Sequence, residues 1–241
     1  MKFTHENWQG YELLKFAFED RQAILVKPEK NCEDNKWLLK TEYFGAFPEF
    51  ELEMLKKGYH LAYVSNKTRW HDDLDDMVKD RFCDFLCENF GLCDKCMTVG
   101  FSCGGMHAIY FASKYPEKVA AMYLDAPVIN LLSCPAGVGK GTTDMYQEFK
   151  NDTGMTLTDL INYRNHPIDR VAPIIEHKIP IFLVGGDSDD IVPFDENGQA
   201  LYDLLKKNNS EVIKVVKPGC NHHPHGLDDN TPIIEFTLKH Y

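Results

Sequence analysis

The feature that most constrains the fold is an alternation of short apolar runs with segments of helical periodicity, from residue 37 to the end of the chain. Apolar runs of this length are typical of buried strands, and apolar residues recurring every three or four positions indicate amphipathic helices. Strands are predicted at 37–40, 59–65, 96–102, 119–128, 179–187 and 211–219, and helices at 48–58, 74–90, 104–114, 194–208 and 231–240. This alternation predicts an α/β protein with a mainly parallel central sheet and helices on both faces.

Two regions interrupt the alternation. Residues 11–26 form two apolar stretches around a turn at Glu19 and Asp20, which predicts an N-terminal antiparallel hairpin. Residues 129–165 separate two predicted core strands and are longer than an ordinary connection, so they are predicted to form a short cap or lid insertion. A chain of 241 residues without an internal linker is predicted to be one domain, 1–241.

The charge and hydropathy of the chain exclude several classes of partner. The formal net charge is −11, which disfavours nucleic acid, because phosphate binding needs a basic surface. No apolar run approaches the roughly 20 residues that span a bilayer, and the N-terminus lacks the apolar core of a secretion signal. We therefore expect a cytoplasmic protein without a nucleic-acid or membrane partner. The oligomeric state is not predicted.

The cysteines are expected to be reduced thiols, because nothing in the sequence indicates export. Four of the eight cysteines are clustered with the spacing C-x3-C-x5-C-x2-C, at Cys83, Cys87, Cys93 and Cys96. Four thiolates of this kind can bind zinc. The alternative is that Cys83 and Cys87 pack on the buried face of a helix, which small hydrophobic thiols do readily. The second reading is favoured, and no metal or cofactor is predicted.

A glycine-rich segment within the predicted cap superficially resembles a phosphate-binding loop. Its sequence is GVGKGT, residues 137–142. The phosphate-binding motif needs Ser or Thr directly after Gly-Lys and a further glycine five positions before the second one. Here Gly141 follows Lys140, and Cys134 occupies the earlier position. The segment is therefore predicted to be a turn at the entrance to the cap.

The strongest functional motif is Gly100-Phe101-Ser102-Cys103-Gly104, a G-x-S-x-G sequence between a predicted buried strand and a predicted helix. In this position the motif makes a sharp turn that exposes the serine hydroxyl at the carboxyl edge of the sheet. A serine is a weak nucleophile at neutral pH, so it needs a histidine base and a carboxylate that orients the base. The motif predicts Ser102 as a catalytic nucleophile.

The acid is predicted on the segment that follows the strand at 179–187. Three aspartates occur there, and the spacing G-x-x-D-x-x-V-P selects Asp189 over Asp187 and Asp190. An acid located between the nucleophile and the base in the chain has the order expected for this kind of hydrolase. Asp189 is therefore the predicted acid of a Ser-His-Asp triad.

The base is predicted among the three histidines that follow the last strand. His222 comes first and is favoured, His223 is the alternative, and His225 is expected to order the loop through hydrogen bonds. Three histidines in four positions also suit a metal, but no motif rich in carboxylates or cysteines lies nearby to complete such a site. His107, on the helix after Ser102, is expected to be a packed or surface residue.

The oxyanion of an acyl-transfer intermediate needs backbone N–H donors. One is predicted at Cys103, where the dipole of the following helix also favours negative charge. The second is predicted at Glu42, on the loop 41–45, although this loop lacks the usual His-Gly sequence. Tyr43, Trp70 and His71, together with the cap, are candidates for the substrate pocket, and ordinary packing is the alternative for Tyr43 and Trp70.

These motifs resemble those of the α/β-hydrolase superfamily over residues 11–240. The resemblance is to small esterases and prolyl-oligopeptidase-like hydrolases, some of which act on acylated carbohydrates, and it is carried by FGAFPEFELEMLKKGYHLAYV, GFSCGGMHAIYFASKYPEKVAAMYLDAP and GCNHHPHGL. It implies the α/β-hydrolase fold, the triad Ser102, Asp189 and His222, and a cap at 129–165. It does not fix the substrate class, because this fold supports many chemistries.

The favoured function is a carboxylic-ester hydrolase that acts through an acyl-enzyme on a small acyl ester, with acylated carbohydrates as one candidate class. A prolyl-oligopeptidase-like peptidase is the first alternative, and it is less favoured because the sequence contains no accessory propeller domain. A binding protein that has lost catalysis is the second alternative, which the intact triad motifs disfavour.

Overall fold

The computed structural model describes residues 2–142 and 144–241, which form a nine-stranded sheet flanked by helices. The strands are β1 (Thr4–Trp8), β2 (Tyr11–Phe18), β3 (Arg21–Lys27), β4 (Trp37–Lys40), β5 (His60–Val64), β6 (Cys96–Phe101), β7 (Val119–Asp125), β8 (Ile181–Gly186) and β9 (Val212–Lys217). The helices are α1 (Glu49–Lys56), α2 (Asp73–Phe90), α3 (Cys103–Lys114), α4 (Tyr146–Thr153), α5 (Leu157–Asn162), α6 (Ala172–Glu176), α7 (Gly198–Lys207) and α8 (Thr231–His240).

The sheet is parallel through most of its width. Its order is β1-β2-β3-β5-β4-β6-β7-β8-β9, and the pairs from β5 to β9 are all parallel, whereas β1, β2, β3 and β5 pair antiparallel. The carboxyl ends of six neighbouring parallel strands therefore meet at one edge, where ligands bind in open α/β sheets. The predicted fold class is confirmed.

The antiparallel part of the sheet has one strand more than predicted. β1 extends the hairpin of β2 and β3 and pairs with β2 in the register Thr4↔Lys15 to Trp8↔Tyr11. Its sequence, THENW, is polar and its residues are mostly exposed. An edge strand with water on both faces carries no apolar alternation, so the periodicity that reveals buried strands could not reveal this one.

The helices cover both faces of the sheet with separate apolar cores. On one face α1 and α8 contribute Phe50, Met54, Ile233 and Phe236, which pack with Val99 and other strand residues of the same orientation. On the other face α2, α3, α6 and α7 supply the apolar side chains. Because alternate residues of a strand point to opposite faces, each central strand contributes to both cores.

The predicted cap segment 129–165 contains two short helices, α4 and α5. Phe149 of α4 and Leu160 of α5 are buried in a third apolar cluster together with Met106 of α3. Phe149 also contacts Trp70 edge-to-face, with ring centroids 5.3 Å apart. The segment is thus packed onto the carboxyl edge of the sheet through apolar contacts.

The glycine-rich turn at the entrance to this segment is occupied by an acidic side chain. The backbone N–H of Lys140 donates to Glu196 Oε1 at 2.9 Å, and the Lys140 ammonium pairs with Asp195. A Cβ at Gly139 would lie 2.5 Å from the Glu196 carboxylate. The carboxylate therefore takes the position that a phosphate would need, which agrees with the predicted turn.

The structure describes all eight cysteines, and each is a free thiol. Cys87 Sγ lies 3.4 Å from the carbonyl oxygen of Cys93, and Cys83 is buried on the inner face of α2. Within the described residues the four clustered cysteines do not bring their sulfur atoms together as a metal-binding group. Over the same residues, no helix is both long enough and apolar enough to cross a membrane.

Candidate active site

Ser102 lies at the sharp turn between β6 and α3. Its φ of 54° and ψ of −120° place it outside the helical and extended regions, as expected for an exposed nucleophile on a strand-to-helix turn. The turn is fixed on both sides, because Ser102 N–H donates to the Asp125 carbonyl and Val128 N–H donates to the Ser102 carbonyl, each at 3.0 Å. A Cβ at Gly100 would lie 2.5 Å from the Gly104 carbonyl oxygen, so this close approach requires glycine.

His222 connects Ser102 to Asp189 through two hydrogen bonds. Its Nδ1 lies 2.8 Å from Asp189 Oδ2, and its Nε2 lies 3.0 Å from Ser102 Oγ. Asp189 and His222 are both buried, and Asp189 Oδ1 accepts hydrogen bonds from the backbone N–H groups of Ile191 and Val192 at 3.0 and 2.8 Å. These bonds hold the carboxylate in position, so the imidazole can take the serine proton at Nε2 while Nδ1–H remains bonded to Asp189.

The loops that carry Asp189 and His222 are joined to each other. The Asn221 side-chain oxygen accepts from His222 N–H at 2.6 Å and from Asp190 N–H at 3.2 Å. Asp187 instead accepts from Gly219 N–H at 2.7 Å. Asp187 and Asp190 therefore link the two loops through bonds that involve backbone N–H groups. Asp189 is the one of these three aspartates whose carboxylate contacts a histidine of the loop after β9.

The predicted oxyanion donors lie beside one another. Cys103 begins α3, and Glu42 lies on the loop after β4. The two segments touch at Gly104, whose carbonyl accepts from Thr41 Oγ1 at 2.6 Å and whose Cβ, if present, would lie 3.4 Å from the Glu42 backbone nitrogen. In the part of the chain that the structure describes, no acceptor occupies the backbone N–H of Cys103 or of Glu42. Both groups are available to a ligand.

The side chain of Glu42 turns away from the nucleophile and fixes its own loop. Its Oε1 accepts from Tyr43 N–H at 3.2 Å, and its Oε2 accepts from the Asn66 side-chain amide, which also donates to the Thr41 carbonyl at 2.7 Å. Burial raises the pKa of the Glu42 carboxyl. Lys79, itself buried, donates to Asn66 from the other side. The orientation of the predicted oxyanion loop thus rests on a buried polar network.

A cavity of about 320 Å³ opens over Ser102 and His222. Tyr43 lines it, and its hydroxyl contacts the Cys103 thiol and the Arg69 guanidinium. Burial raises the pKa of Tyr43, so the hydroxyl stays protonated. The remaining lining residues are mainly apolar and include Ala46, Phe47, Phe101, Met145 and Ile191.

Trp70 and His71 differ from the predicted pocket, because they line a neighbouring cavity of about 220 Å³ under the cap. Trp70 is 1% exposed and packs against Phe149, while His71 stacks on Tyr110 at 3.7 Å and pairs with Asp76 at 2.7 Å. Arg69, the residue before Trp70, lines the cavity over Ser102 instead. The packing alternative stated for Trp70 therefore describes it better.

Arg69 lines the cavity over Ser102 and also pairs with α4 of the predicted cap segment. Its Nε lies 2.6 Å from Glu148 Oε1 of α4, and its terminal nitrogen contacts the second carboxylate oxygen. The guanidinium therefore connects the wall of the cavity to the first cap helix. A partly exposed pair of this kind contributes little to stability on its own, but it fixes the position of α4 relative to the nucleophile.

The other histidines of the loop have separate positions. His223 is exposed and stacks on Phe47, whereas His225 is buried and its Nδ1 lies 3.2 Å from Asp125 Oδ1. Nitrogen atoms of His222, His223 and His225 lie within 4.8 Å of one another. A metal there would compete with the triad, because both nitrogens of His222 are already bonded. His107 lies on α3, where it is fully buried and contacts the Arg69 carbonyl.

Asp125 is the main site residue that the sequence prediction missed. It ends β7, the strand next to that of the nucleophile, and it accepts from His225 Nδ1 and from Gly226 N–H at 2.6 Å. The sequence feature that could have indicated Asp125 is a carboxylate at the end of an apolar strand. Phe47, Arg69 and Met145 lie on connecting loops, where no periodicity indicates which side chains reach the cavity.

Known proteins resemble this chain in sequence or in fold. The prolyl oligopeptidase family model matches residues 58–240. The acylamino-acid-releasing enzyme of Mus musculus is 31% identical over 88% of this chain and 32% of that protein. A Pyrococcus horikoshii acylaminoacyl peptidase superposes with a TM-score of 0.67 at 18% identity over 92% of this chain and 38% of its own. A Mycobacterium tuberculosis puromycin-hydrolyzing peptidase superposes with a TM-score of 0.71 at 12% identity, covering 88% and 36%.

The chain spans about a third of the length of these relatives. The family match nevertheless covers most of the chain, from residue 58, just before β5, to residue 240 at the end of α8. It includes the strand-to-helix turn at Ser102 and the residues Asp189 and His222. The chain therefore belongs to the prolyl oligopeptidase family of α/β-hydrolase serine hydrolases.

Proposed function

We propose that this chain is a serine peptidase that cleaves amide bonds in small acylated amino acids or short peptides, with Ser102, His222 and Asp189 as its catalytic triad. The observation that carries the proposal is the continuous hydrogen-bond chain, 3.0 Å from Ser102 Oγ to His222 and 2.8 Å from His222 to Asp189. The names of the relatives, an acylamino-acid-releasing enzyme and two peptidases, support an amide substrate over the ester favoured by the sequence.

The proposed reaction follows from the positions of these groups. His222 Nε2 takes the proton of Ser102 Oγ as the oxygen attacks the substrate carbonyl, and Asp189 stabilises the imidazolium. The backbone N–H groups of Cys103 and Glu42 bind the oxyanion. His222 then gives its proton to the leaving amine, and water releases the acyl group by the same route in reverse.

The volume of the cavity supports a small substrate. About 320 Å³ accommodates a few residues of a peptide beside Ser102, and the cap covers one side through Arg69 and Glu148. The lining of Phe47, Met145 and Ile191 favours apolar side chains. We therefore expect short substrates with an apolar residue next to the scissile bond.

The test is hydrolysis of matched amide and ester substrates by the pure protein. N-acylated alanine and phenylalanine anilides are compared with the corresponding p-nitrophenyl esters, and Ser102→Ala is the control. Cleavage of the anilides that is lost in Ser102→Ala supports the proposed peptidase. Cleavage of esters alone favours the carboxylic-ester hydrolase. A folded protein that cleaves neither and does not react with a fluorophosphonate favours the inactive binding protein.

A further inference from the structure

A second histidine, His225, faces the cavity of the nucleophile with one ring nitrogen fixed. Its Nδ1 lies 3.2 Å from Asp125 Oδ1, and the other carboxylate oxygen accepts from Gly226 N–H at 2.6 Å. Asp125 is 1% exposed, and Lys217 Nζ lies 3.8 Å from its Oδ2. Because a carboxylate only accepts hydrogen bonds, the proton of neutral His225 resides on Nδ1.

The ring of His225 cannot rotate freely. It stacks on Phe101 with centroids 5.2 Å apart and an interplanar angle of 28°, and Phe47 meets it edge-on at 5.2 Å. The His222 ring lies 5.0 Å away at 81°. His225 lines the cavity that contains Ser102, so its orientation is set by the walls of that cavity.

The second nitrogen of His225, Nε2, is an acceptor without a protein donor. Burial lowers the pKa of His225, the charges of His222 and Lys217 lower it further, and Asp125 opposes this shift. The ring is therefore neutral at pH 7 and Nε2 keeps its lone pair. Within residues 2–142 and 144–241, no hydrogen bond reaches Nε2. A nearly buried acceptor of this kind gains from a donor that a ligand supplies.

We propose that His225 Nε2 accepts a hydrogen bond from an N–H or O–H group of the substrate, close to the scissile carbonyl. The inference rests on the proposed function, because it assumes that the carbonyl is bound at Ser102. The ring centroids of His222 and His225 lie 5.0 Å apart, and both rings line the cavity that contains Ser102, so a donor bound at His225 would lie beside the reacting group. Amide N–H groups of acylated amino acids and hydroxyl groups of hydroxy acids share this chemistry.

The consequence is selectivity for substrates that carry a donor. A site that hydrogen-bonds a substrate N–H discriminates against an analogue without it, because the protein acceptor is then left unpaired in a desolvated site. We expect kcat/KM to differ by about 10- to 100-fold between a substrate with the donor and its methylated analogue. Hydrophobic contacts alone would not produce a difference that depends on His225.

The experiment compares the p-nitrophenyl esters of N-benzyloxycarbonyl-alanine and of its N-methyl analogue, which differ in the proposed donor. Esters are used because both peptidases and esterases cleave them through the same acyl-enzyme. A lactate ester and its O-methyl analogue form a second arm, which distinguishes a hydroxyl donor from an amide donor. The kcat/KM ratio within each pair is measured for the wild type, His225→Leu and His225→Gln.

We expect a ratio of about 10 to 100 in at least one pair for the wild type and a ratio near one in His225→Leu. His225→Gln restores part of the ratio, since its amide can donate to Asp125 while its oxygen accepts from the substrate. His223→Gln is the matched control from the same loop and keeps the wild-type ratio. Equal ratios in wild type and His225→Leu, or a wild-type ratio near one in both pairs, would overturn the inference.

Failure of this inference is distinguishable from failure of the proposed function. The methylated substrates and p-nitrophenyl acetate carry no donor, so their hydrolysis reports Ser102 reactivity alone. Wild-type turnover of these esters with no effect of His225 on the ratio rejects the donor contact and leaves the serine hydrolase intact. No turnover of any ester by the folded protein rejects both. If His225→Leu does not fold, the wild-type and His225→Gln ratios decide.

Discussion

Two Asp–His pairs lie side by side at the carboxyl edge of the sheet, and their histidines come from the same loop. Asp189 follows β8 and pairs with His222 at 2.8 Å, while Asp125 ends β7 and pairs with His225 at 3.2 Å. All four side chains are buried. In each pair the carboxylate also accepts backbone N–H bonds, from Ile191 and Val192 in the first and from Gly226 in the second.

The difference between the pairs lies at the second nitrogen of each ring. His222 Nε2 lies 3.0 Å from Ser102 Oγ, whereas His225 lines the same cavity and its Nε2 has no hydrogen-bond partner within the described residues. In our two proposals, the same combination of side chains supplies a general base in one place and a substrate acceptor in the other. The role of each histidine therefore depends on the group that meets its Nε2 atom, and not on the Asp–His contact itself.

Substitutions in the first pair should have the largest effect. His222→Ala and Asp189→Asn should each reduce kcat by about 10⁴-fold, because the base is absent or misoriented. Steady-state hydrolysis of an activated ester measures this. Asp187→Asn and His223→Ala are neighbouring controls and should lose far less. Activity that survives in His222→Ala but disappears in His223→Ala would reverse the assignment of the base.

The second pair should have a smaller effect on the same reaction. In Asp125→Asn the carboxamide oxygen can still accept from Gly226 N–H, but Nδ1–H of His225 loses its charged partner. We expect kcat/KM to fall by about 10- to 100-fold for substrates with an N–H donor, and much less for those without one. A loss as large as that of Asp189→Asn, with every substrate, would show that both pairs act on Ser102.

Glycine-to-alanine substitutions beside the two Asp–His pairs should differ in their effect on the free energy of unfolding. A Cβ at Gly186 would lie 2.1 Å from the Cys220 carbonyl oxygen, where the loop of Asp189 crosses the loop of His222, whereas one at Gly226 would meet nothing within 4 Å. Gly186→Ala should reduce the free energy of unfolding by about 1–3 kcal/mol through overpacking. Gly226→Ala should lose only about 1–2 kcal/mol, because its φ of 89° is unfavourable for alanine.

Urea unfolding with both variants measures these differences. The m-value serves as the control, since an unchanged m-value shows that the variants unfold from the same compact state. Gly186→Ala should also lose activity, because the displaced loop carries the base. If Gly226→Ala were the more damaging of the two, the backbone contact between the loops would not be the main constraint on the first pair.

The smallest expected effect is a difference in acid stability. Burial lowers the pKa of His225 below that of the unfolded chain, so its contribution to stability is complete above about pH 6.5 and is lost as the pH falls toward the folded-state pKa. His225→Gln removes this titration. Urea unfolding between pH 7 and 5 should show a steeper loss of stability in the wild type than in His225→Gln. Parallel curves would mean that His225 does not titrate on unfolding.

The fold could be predicted because its strands and helices bury apolar faces with regular periods, and the parallel alternation then limits the topology. β1 (Thr4–Trp8) was not predicted, because an exposed edge strand has no such apolar period. The residues Ser102, Asp189 and His222 could be predicted together because each follows a strand of the parallel sheet and therefore lies at the same edge. Arg69 and Phe47 were not, because loop conformation, which depends on distant contacts such as that with Glu148, determines what reaches the cavity.

The predicted oxyanion loop, residues 41–45, could be predicted from the sequence only in part. Its place after β4 was predictable from the strand pattern, but the network that orients it was not, since Asn66 and Lys79 come from segments distant in sequence. Asn66 follows β5, which pairs with β4 in the sheet, and Lys79 lies on α2, so the network depends on how these elements pack together. Long-range polar contacts of this kind carry no local sequence signal.

The most direct test of the central claim is reaction of the pure protein with a fluorophosphonate, followed by peptide mapping. The account predicts one phosphonylated residue, Ser102, in the wild type. It predicts no labelling of Ser102→Ala and labelling of His222→Ala that is slower by orders of magnitude, because the serine then has no base. An unlabelled wild type that is fully folded, or a label on another residue that persists in Ser102→Ala, would contradict the claim that Ser102 is the nucleophile activated by His222.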